Sequence, residues 1–242
     1  LFPTGRSGFS RITTGAWRTG PMQVVSNPSY GREQIHFEAP SPDRIEAEMA
    51  AFLAWFNDED GLDPVLRSAI GHFWFVTIHP FEDGNGRIAR AIADLALARS
   101  EQSTLRFYSM SSQIQRERAS YYDILEISQR GTLDITDWVV WFLDCLGRAI
   151  DAAAMTLDSV LSKDRFWRTL GGQPLNDRQR LMLNRLLDGF EGKLTTSKWA
   201  KIAKTSPDTA LRDISDLVER GVLTRDASGG RSTSYSLAHF PE

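Results

Sequence analysis

Residues 79 to 90 read HPFEDGNGRIAR, directly after the apolar run FWFVTI. A histidine, two acids, two glycines around an asparagine and two arginines share this short stretch. DGNG puts glycines where a helix begins, so a positive φ or a close backbone approach is open at Gly84 and Gly86. Successive N–H groups in such a turn form a concave anion nest, and the helix that follows adds the positive end of its dipole. Arg87 falls in the first helical turn and Arg90 three residues on, where two guanidiniums beside a nest suit a polyphosphate. Asp83 adjoins the nest, and one carboxylate beside phosphate oxygens is a normal Mg²⁺ holder; spacing alone does not choose between Asp83 and Glu82. His79 ends an apolar helix and precedes Pro80, which stops that helix. An imidazole there can take a proton from a hydroxyl near the phosphate, and in-line attack on phosphorus needs little beyond positioning and charge neutralisation. Each part alone is an ordinary helix end, turn or solvated face; together they read as a site.

The elements that hold this stretch are helical. Residues 1 to about 40 read as extended, with MQVV and QIHFEAP as two β-prone runs around the turn-rich SNPSYGRE. From Ser41, as N-cap with Pro42 at the first helical position, Ile45, Met49, Phe52, Leu53 and Phe56 recur at helical spacing. A second helix fits DPVLRSAIGHFWFVTI with Val65, Leu66, Ala69, Ile70, Phe73, Trp74 and Thr77 inward. A third starts inside the motif, a fourth covers about 111 to 130, and a fifth runs from DITDWVVW to about 167.

GGQP at 171–174 is the strong break after that and reads as a linker. Beyond it come three helices, NDRQRLMLNRLLDGF, TTSKWAKIAK and SPDTALRDISDLVERG, then two strands, VLTRD and TSYSLA, around a glycine turn. Helix, helix, turn, helix and hairpin is the pattern of a winged helix. The expected architecture is therefore mainly α: an N-terminal arm and β-hairpin at 1–40, a helical core at 41–170, and a small α+β winged-helix domain at 171–242.

The 242 residues carry a net charge of −3, 41% hydrophobic and 24% charged residues, ordinary for a globular chain and no signature of a general nucleic-acid or anionic-membrane binder. No apolar run is long enough to span a bilayer. Cys145, the one cysteine, excludes an intrachain disulfide and a cysteine metal cluster, and its apolar helical surroundings point to an inert buried thiol. A reducing, cytoplasmic setting follows. His72 reads as structural, His36 as part of the hairpin and His239 as tail, none at metal-ligand spacing with another histidine. The chain begins at Leu1, not Met, which suggests a missing upstream segment.

The motif resembles the signature of the Fic family, His-Pro-Phe-x-(Asp/Glu)-Gly-Asn-Gly-Arg-x-x-Arg, and matches it at every defined position. GAWRT ahead of the hairpin and ASYYDIL…GTLDITDWVVWFL after the motif extend the likeness over about residues 10 to 150. The resemblance implies a Fic-type core that moves AMP from ATP, with Mg²⁺, onto a Ser, Thr or Tyr hydroxyl of a target protein, or of itself, and releases pyrophosphate. It implies His79 as the base, Phe81 as the loop's anchor in the core and Asp83 as the metal ligand. Gly84, Asn85 and Gly86 would form the anion hole, with Asn85 on the α-phosphate, and Arg87 and Arg90 would reach the β- and γ-phosphates. Tyr121 and Tyr122 would lie near the adenine. The hairpin at about 22 to 38 would be the flap that pairs with the target protein, and a winged helix is a common companion in bacterial members.

One departure stands out. Many members carry an inhibitory (Ser/Thr)-x-x-x-Glu-(Gly/Asn) helix, and Glu191–Gly192 here is preceded by Leu187 at the hydroxyl position. Regulation then lies in an absent N-terminal segment, in a separate protein or nowhere; the absent segment is the favoured expectation, and this polypeptide is expected to be derepressed. Alternatives from other classes are a DNA-binding regulator that senses nucleotide without turnover, and a Fic variant moving another phosphate-containing group. Gly86 rather than Lys after Asn85 speaks against the kinase-like branch. On the winged helix, Lys198, Lys201 and Lys204 form a candidate phosphate stripe and Thr209 and Arg212 candidate base readers, whereas Asp208, Asp213, Asp216 and Glu219 would repel DNA unless turned away. Fic domains often dimerise, and a homodimer is carried as an option.

Overall fold

The computed structural model describes residues 1–26, 34–58, 61–103, 106–227 and 233–238. The chain divides into two compact units, Leu1–Ala153 and Ala154–Glu242. The division falls inside the longest helix, upstream of the connector expected at 171–174, because Phe166 and Leu170 already pack into the second core.

The first unit opens with two ribbons. β1 (Arg6–Ser7) pairs with β2 (Ser10–Arg11), and β3 (Gln23–Ser26) pairs antiparallel with β4 (Gln34–Glu38), with an irregularity between Val24 and Val25. These are the strands of the expected hairpin; its connecting residues 27–33 lie outside the described residues, as does His239. A 3₁₀ turn at Pro42–Arg44 then leads into α1 (Ile45–Phe56). Ser41 does not cap it, because its hydroxyl bonds the carboxylate of Asp43. α2 (Pro64–Ile78) and α3 (Asn85–Glu101) form the most extensive helix pair. The single helix expected at 111–130 is two, α4 (Met110–Arg116) and α5 (Arg118–Arg130). No glycine or proline marks that break. At Glu117 the carboxylate accepts two bonds from Arg148, at 2.7 and 2.6 Å, and a third from Gln113.

α2 is not the one-faced helix its periodicity predicts. Asp63 caps its start, accepting from the N–H groups of Val65 and Leu66. Ser68, Ala69, Gly71, His72, Phe73, Phe75, Val76 and Ile78 are all buried, so it has core on every side. Small residues make that closeness available. The Ser68 hydroxyl donates to the Ala93 carbonyl at 3.0 Å, and a Cβ on Gly71 would come within 3.2 Å of the Phe56 ring. Ala89, Ala93 and Ala96 present the matching small surface of α3. α6 (Thr136–Thr169) closes the core with Trp138, whose indole N–H donates to the Ala69 carbonyl at 2.9 Å, and with Phe142, Cys145 and Leu146. Burial pushes the Cys145 thiol up to about 12.

The second unit contains α7 (Asp177–Leu187), β5 (Leu194–Thr195), α8 (Thr196–Ile202), α9 (Pro207–Glu219), β6 (Leu223–Arg225) and β7 (Ser234–Leu237). Asn176 and Gln179 make a reciprocal capping box at the start of α7, and Ser206 caps α9. The antiparallel sheet runs β5-β7-β6, and Met182, Leu183, Leu194, Trp199, Ile214 and Leu217 fill the core beside it. β5 has no counterpart in the sequence reading, being only two residues long. Among the described residues no helix is long and apolar enough to cross a membrane.

His72 lies fully buried in the aromatic core, its Nε2 bonded to the Tyr121 hydroxyl at 3.0 Å and its Nδ1 without a hydrogen-bond partner. Burial, with the Arg90 cation as a lesser cause, lowers its pKa to about 3. Between that value and the ordinary histidine range the unfolded chain binds the extra proton, so stability present above pH 6.5 is lost as pH falls. At pH 5 the loss from this residue should reach about 2 kcal/mol. Denaturant titrations at pH 7.5 and 5 on the wild type and His72→Phe check this; the variant should lack that part of the pH dependence, and equal slopes would rule the assignment out.

Candidate active site

Pro80 has no N–H and cannot extend α2, so the chain must turn at His79. His79 does so in the left-handed region, φ 51° and ψ 56°, with its N–H on the Phe75 carbonyl at 3.1 Å. Few non-glycine residues adopt this conformation without support. Its Nδ1 lies 3.0 Å from the Val76 carbonyl. A carbonyl only accepts, so Nδ1 carries the proton and Nε2 is left as the basic atom. Burial lowers the His79 pKa most; the bond to Val76 opposes this, Arg18 adds to it and Asp83 opposes it.

The loop from 80 to 86 is tied down at both ends. The Phe81 ring packs 5.1 Å from Trp17 and 6.4 Å from Phe75, against the first core. Asn85, only 2% exposed, accepts from the Phe81 N–H at 3.0 Å and donates to the Phe81 carbonyl at 2.7 Å. Its amide therefore closes the loop on itself, and what it offers to the nest is its main chain. Gly84 stands at φ 87° as the N-cap of α3, and no side chain caps that helix.

The two acids part company. Glu82 accepts from the Thr13 N–H at 2.7 Å and the Thr13 hydroxyl at 2.9 Å, so both its oxygens are engaged. Asp83 is exposed; one oxygen accepts from the Gly84 N–H at 2.5 Å and the other from the Ser7 hydroxyl. The arm before β3 thus lies along the outer side of the motif. Leu1 and Phe2 occupy the space a Cβ on Gly84 would need, each at 3.1 Å, and Arg87 sits 4.5 Å over the Phe2 ring.

Arg87 and Arg90 point to different places. Arg87 is exposed against Phe2, whereas the Arg90 guanidinium lies beside Gly86, 3.7 Å from where its Cβ would be. Gly86, Arg90 and His79 line one cavity of about 570 Å³ together with Tyr121 and Tyr122. That volume suits a small-molecule ligand. The tyrosines divide as well: Tyr121 is buried with its hydroxyl on His72, and Tyr122 is half exposed under Arg118. Phe81, Asp83, Gly84, Asn85 and Arg87 stand outside the cavity lining. A shallower depression of about 380 Å³ in the second unit, near Phe190, Asp226 and Tyr235, gathers none of the candidate catalytic, nucleotide-binding or metal-binding residues.

Four residues of the site carry no signal of type or spacing. His36 on β4 bonds Glu126 of α5, Arg130 binds the same carboxylate at 2.6 Å, and Arg130 also donates to the Ile35 carbonyl, which ties the hairpin to α5 beside the cavity. Arg18 is the fourth. Only 2% exposed, it donates from Nε to the His79 carbonyl at 2.8 Å, from Nη1 to the Gly20 carbonyl at 2.8 Å and from Nη2 to the Pro40 carbonyl. In the sequence it is one arginine inside GAWRT, and a chain position cannot announce which carbonyls surround it.

Parts of the chain are similar to known proteins. Residues 5–97 match the model of the Fic/DOC family. The protein adenylyltransferase Fic of Culex quinquefasciatus is 30% identical over 137 residues, and that of Aedes aegypti 28% identical over the same length. In both cases the match takes in 54% of this chain and only 26% of the relative. The crystal structure of a Fic family protein from Desulfovibrio desulfuricans G20 superposes with a TM-score of 0.50 at 23% identity, covering 97% of this chain and 66% of that one, a likeness of fold. Residues 5–97, within the first unit, therefore match a Fic/DOC family domain.

Proposed function

We propose that the chain is a protein adenylyltransferase, moving AMP from ATP to a Ser, Thr or Tyr hydroxyl of a protein. The observation that carries this reading is the tautomer of His79: with Nδ1–H on the Val76 carbonyl, Nε2 is basic in the cavity that Gly86 and Arg90 share. The acceptor O–H gives its proton to Nε2 while its oxygen bonds the α-phosphorus. The bond from that phosphorus to the bridging oxygen breaks, and pyrophosphate leaves with the electron pair. The main-chain N–H groups at the start of α3, with Arg90, meet the negative charge of the phosphates. Tyr121 and Tyr122 flank the space left for the base.

Asp83 fits a divalent cation better than Glu82, since it is exposed next to the nest whereas Glu82 is half-buried and turned to Thr13; a cation would take the Asp83 oxygen that the Ser7 hydroxyl bonds. Among the described residues no three His, Cys, Asp or Glu gather as a metal site. One carboxylate with phosphate oxygens and water is an arrangement that suits Mg²⁺, which would neutralise phosphate charge when bound. The target segment would add to β3. Among the described residues that strand pairs only with β4, and Arg130 already takes a carbonyl of β4.

A second reading, a DNA-binding regulator built on a winged helix, draws on one observation. Asp213 is buried against Arg178 and Asn176, and Asp216 bonds Gln179, so two of the four acids of α9 turn toward α7 and away from a DNA backbone. Fluorescence anisotropy with a mixed-sequence duplex at low salt tests it, and absence of binding at micromolar chain would end it.

Intact-mass spectrometry after incubation with ATP and Mg²⁺ should show an added adenylyl group on the wild type or an offered protein mixture. His79→Ala should lose transfer by at least about a hundredfold while still binding ATP; retained transfer would remove the base role. Asp83→Ala should lower the metal-dependent rate by roughly tenfold or more, and equal loss with and without metal would contradict its assignment. Because the base works unprotonated and burial lowers its pKa, the rate should hold as pH falls through 6.5 and decline only below it. A decline centred above 6.5 would count against His79.

A further inference from the structure

Accepting His79 as the base, we propose that Arg18 is the positioning residue that fixes this base against the target-docking hairpin. Its three side-chain partners come from three separate segments: Gly20 just before β3, Pro40 just after β4, and His79 at the end of α2. Its own N–H adds a fourth tie, to the Pro80 carbonyl at 2.9 Å. The two feet of the hairpin and the turn bearing the imidazole thus meet on one guanidinium.

The chemistry favours a guidance role over simple filling of space. A buried cation is costly to desolvate, and here it is held by main-chain carbonyls, not by a carboxylate. Apolar packing would fill the same volume without that cost. What it would not do is hold diverging carbonyls at fixed angles, which the planar fork of arginine does and the single ammonium of lysine cannot. The His79 carbonyl is the group that would swing if this residue left the left-handed region, and the imidazole would swing with it. Arg18 holds that carbonyl in place. A displacement of about 1 Å in a reacting group can cost about a hundredfold in rate, so a guanidinium that registers acceptor strand and base together acts on turnover more than on nucleotide binding.

The test uses the full chain with labelled histidine. Imidazole ¹⁵N–¹H spectra across pH are recorded for the wild type, Arg18→Met and Arg18→Lys, with His79 assigned through His79→Gln and folding checked by circular dichroism. In the wild type His79 should hold the Nδ1–H tautomer. In Arg18→Met both tautomers should be populated and the His79 midpoint should rise by about half a pH unit or more, since a neighbouring cation has been removed. Arg18→Lys keeps the cation, so its midpoint should stay near the wild-type value while the tautomers mix. If the methionine variant does not fold, the lysine variant carries the test alone through its tautomer. Adenylyl transfer should fall by about tenfold or more in kcat in both variants, with KM for ATP changed by less than about threefold. Folded variants whose His79 keeps the wild-type tautomer and midpoint would overturn the proposal. A wild type that transfers no adenylate to any acceptor, yet whose His79 tautomer responds to residue 18 as described, would overturn the adenylyltransferase reading and leave the positioning of the imidazole standing.

Discussion

A left-handed histidine at the end of a helix with no solvent face is the constraint on which the first unit turns. α2 cannot continue past Ile78 because Pro80 follows, and it cannot slide because core lies on every side of it. His79 must therefore absorb the change of direction within one residue, and glycine, the usual choice there, has no side chain to offer. The structure supports the strained residue from several directions: its N–H donates to the Phe75 carbonyl, its ring to the Val76 carbonyl, and its carbonyl accepts from Arg18. The same bond that steadies the ring selects its tautomer, so support and reactivity share one interaction.

The loop that follows has a comparable economy of parts. Asn85 staples Phe81 from both sides, Phe81 plugs the aromatic core, and the main chain between them stays exposed at the mouth of α3. The side chain that looks most polar in the motif is thus spent on shape. In the proposed reading, recognition of an anion would be left to backbone N–H groups and to Arg90, which lines the cavity while Arg87 packs on the arm.

Much of this was legible in the residues. The motif stood out because so many polar and flexible types share twelve positions, and most helices announced themselves through apolar spacing, as at Ile45, Met49, Phe52 and Phe56 of α1. Local signals do not report on long-range bonds, however. The break between α4 and α5 depends on Arg148, distant in sequence and near in space. The close seating of α2 depends on small residues at 68, 71 and 93 finding one another, where periodicity expected a stripe. Arg18 and the arm residues Phe2, Ser7 and Thr13 belong to the site only through tertiary folding, and no spacing rule joins positions so far apart.

The burial of α2 on all sides also bears on how freely this domain can vary. A helix with one wet face accepts drift on that face without effect on the rest. α2 has almost none between Arg67 and Ile78, where residues with polar heads, Ser68 and His72, are as enclosed as Phe75. Substitutions that retune specificity therefore have to collect elsewhere, on the hairpin and on α5, where Val25, Ile35 and Tyr122 are exposed. The proposed base stands at the end of the least editable segment of the unit, and the surfaces that would meet different partners are mounted on the most editable ones.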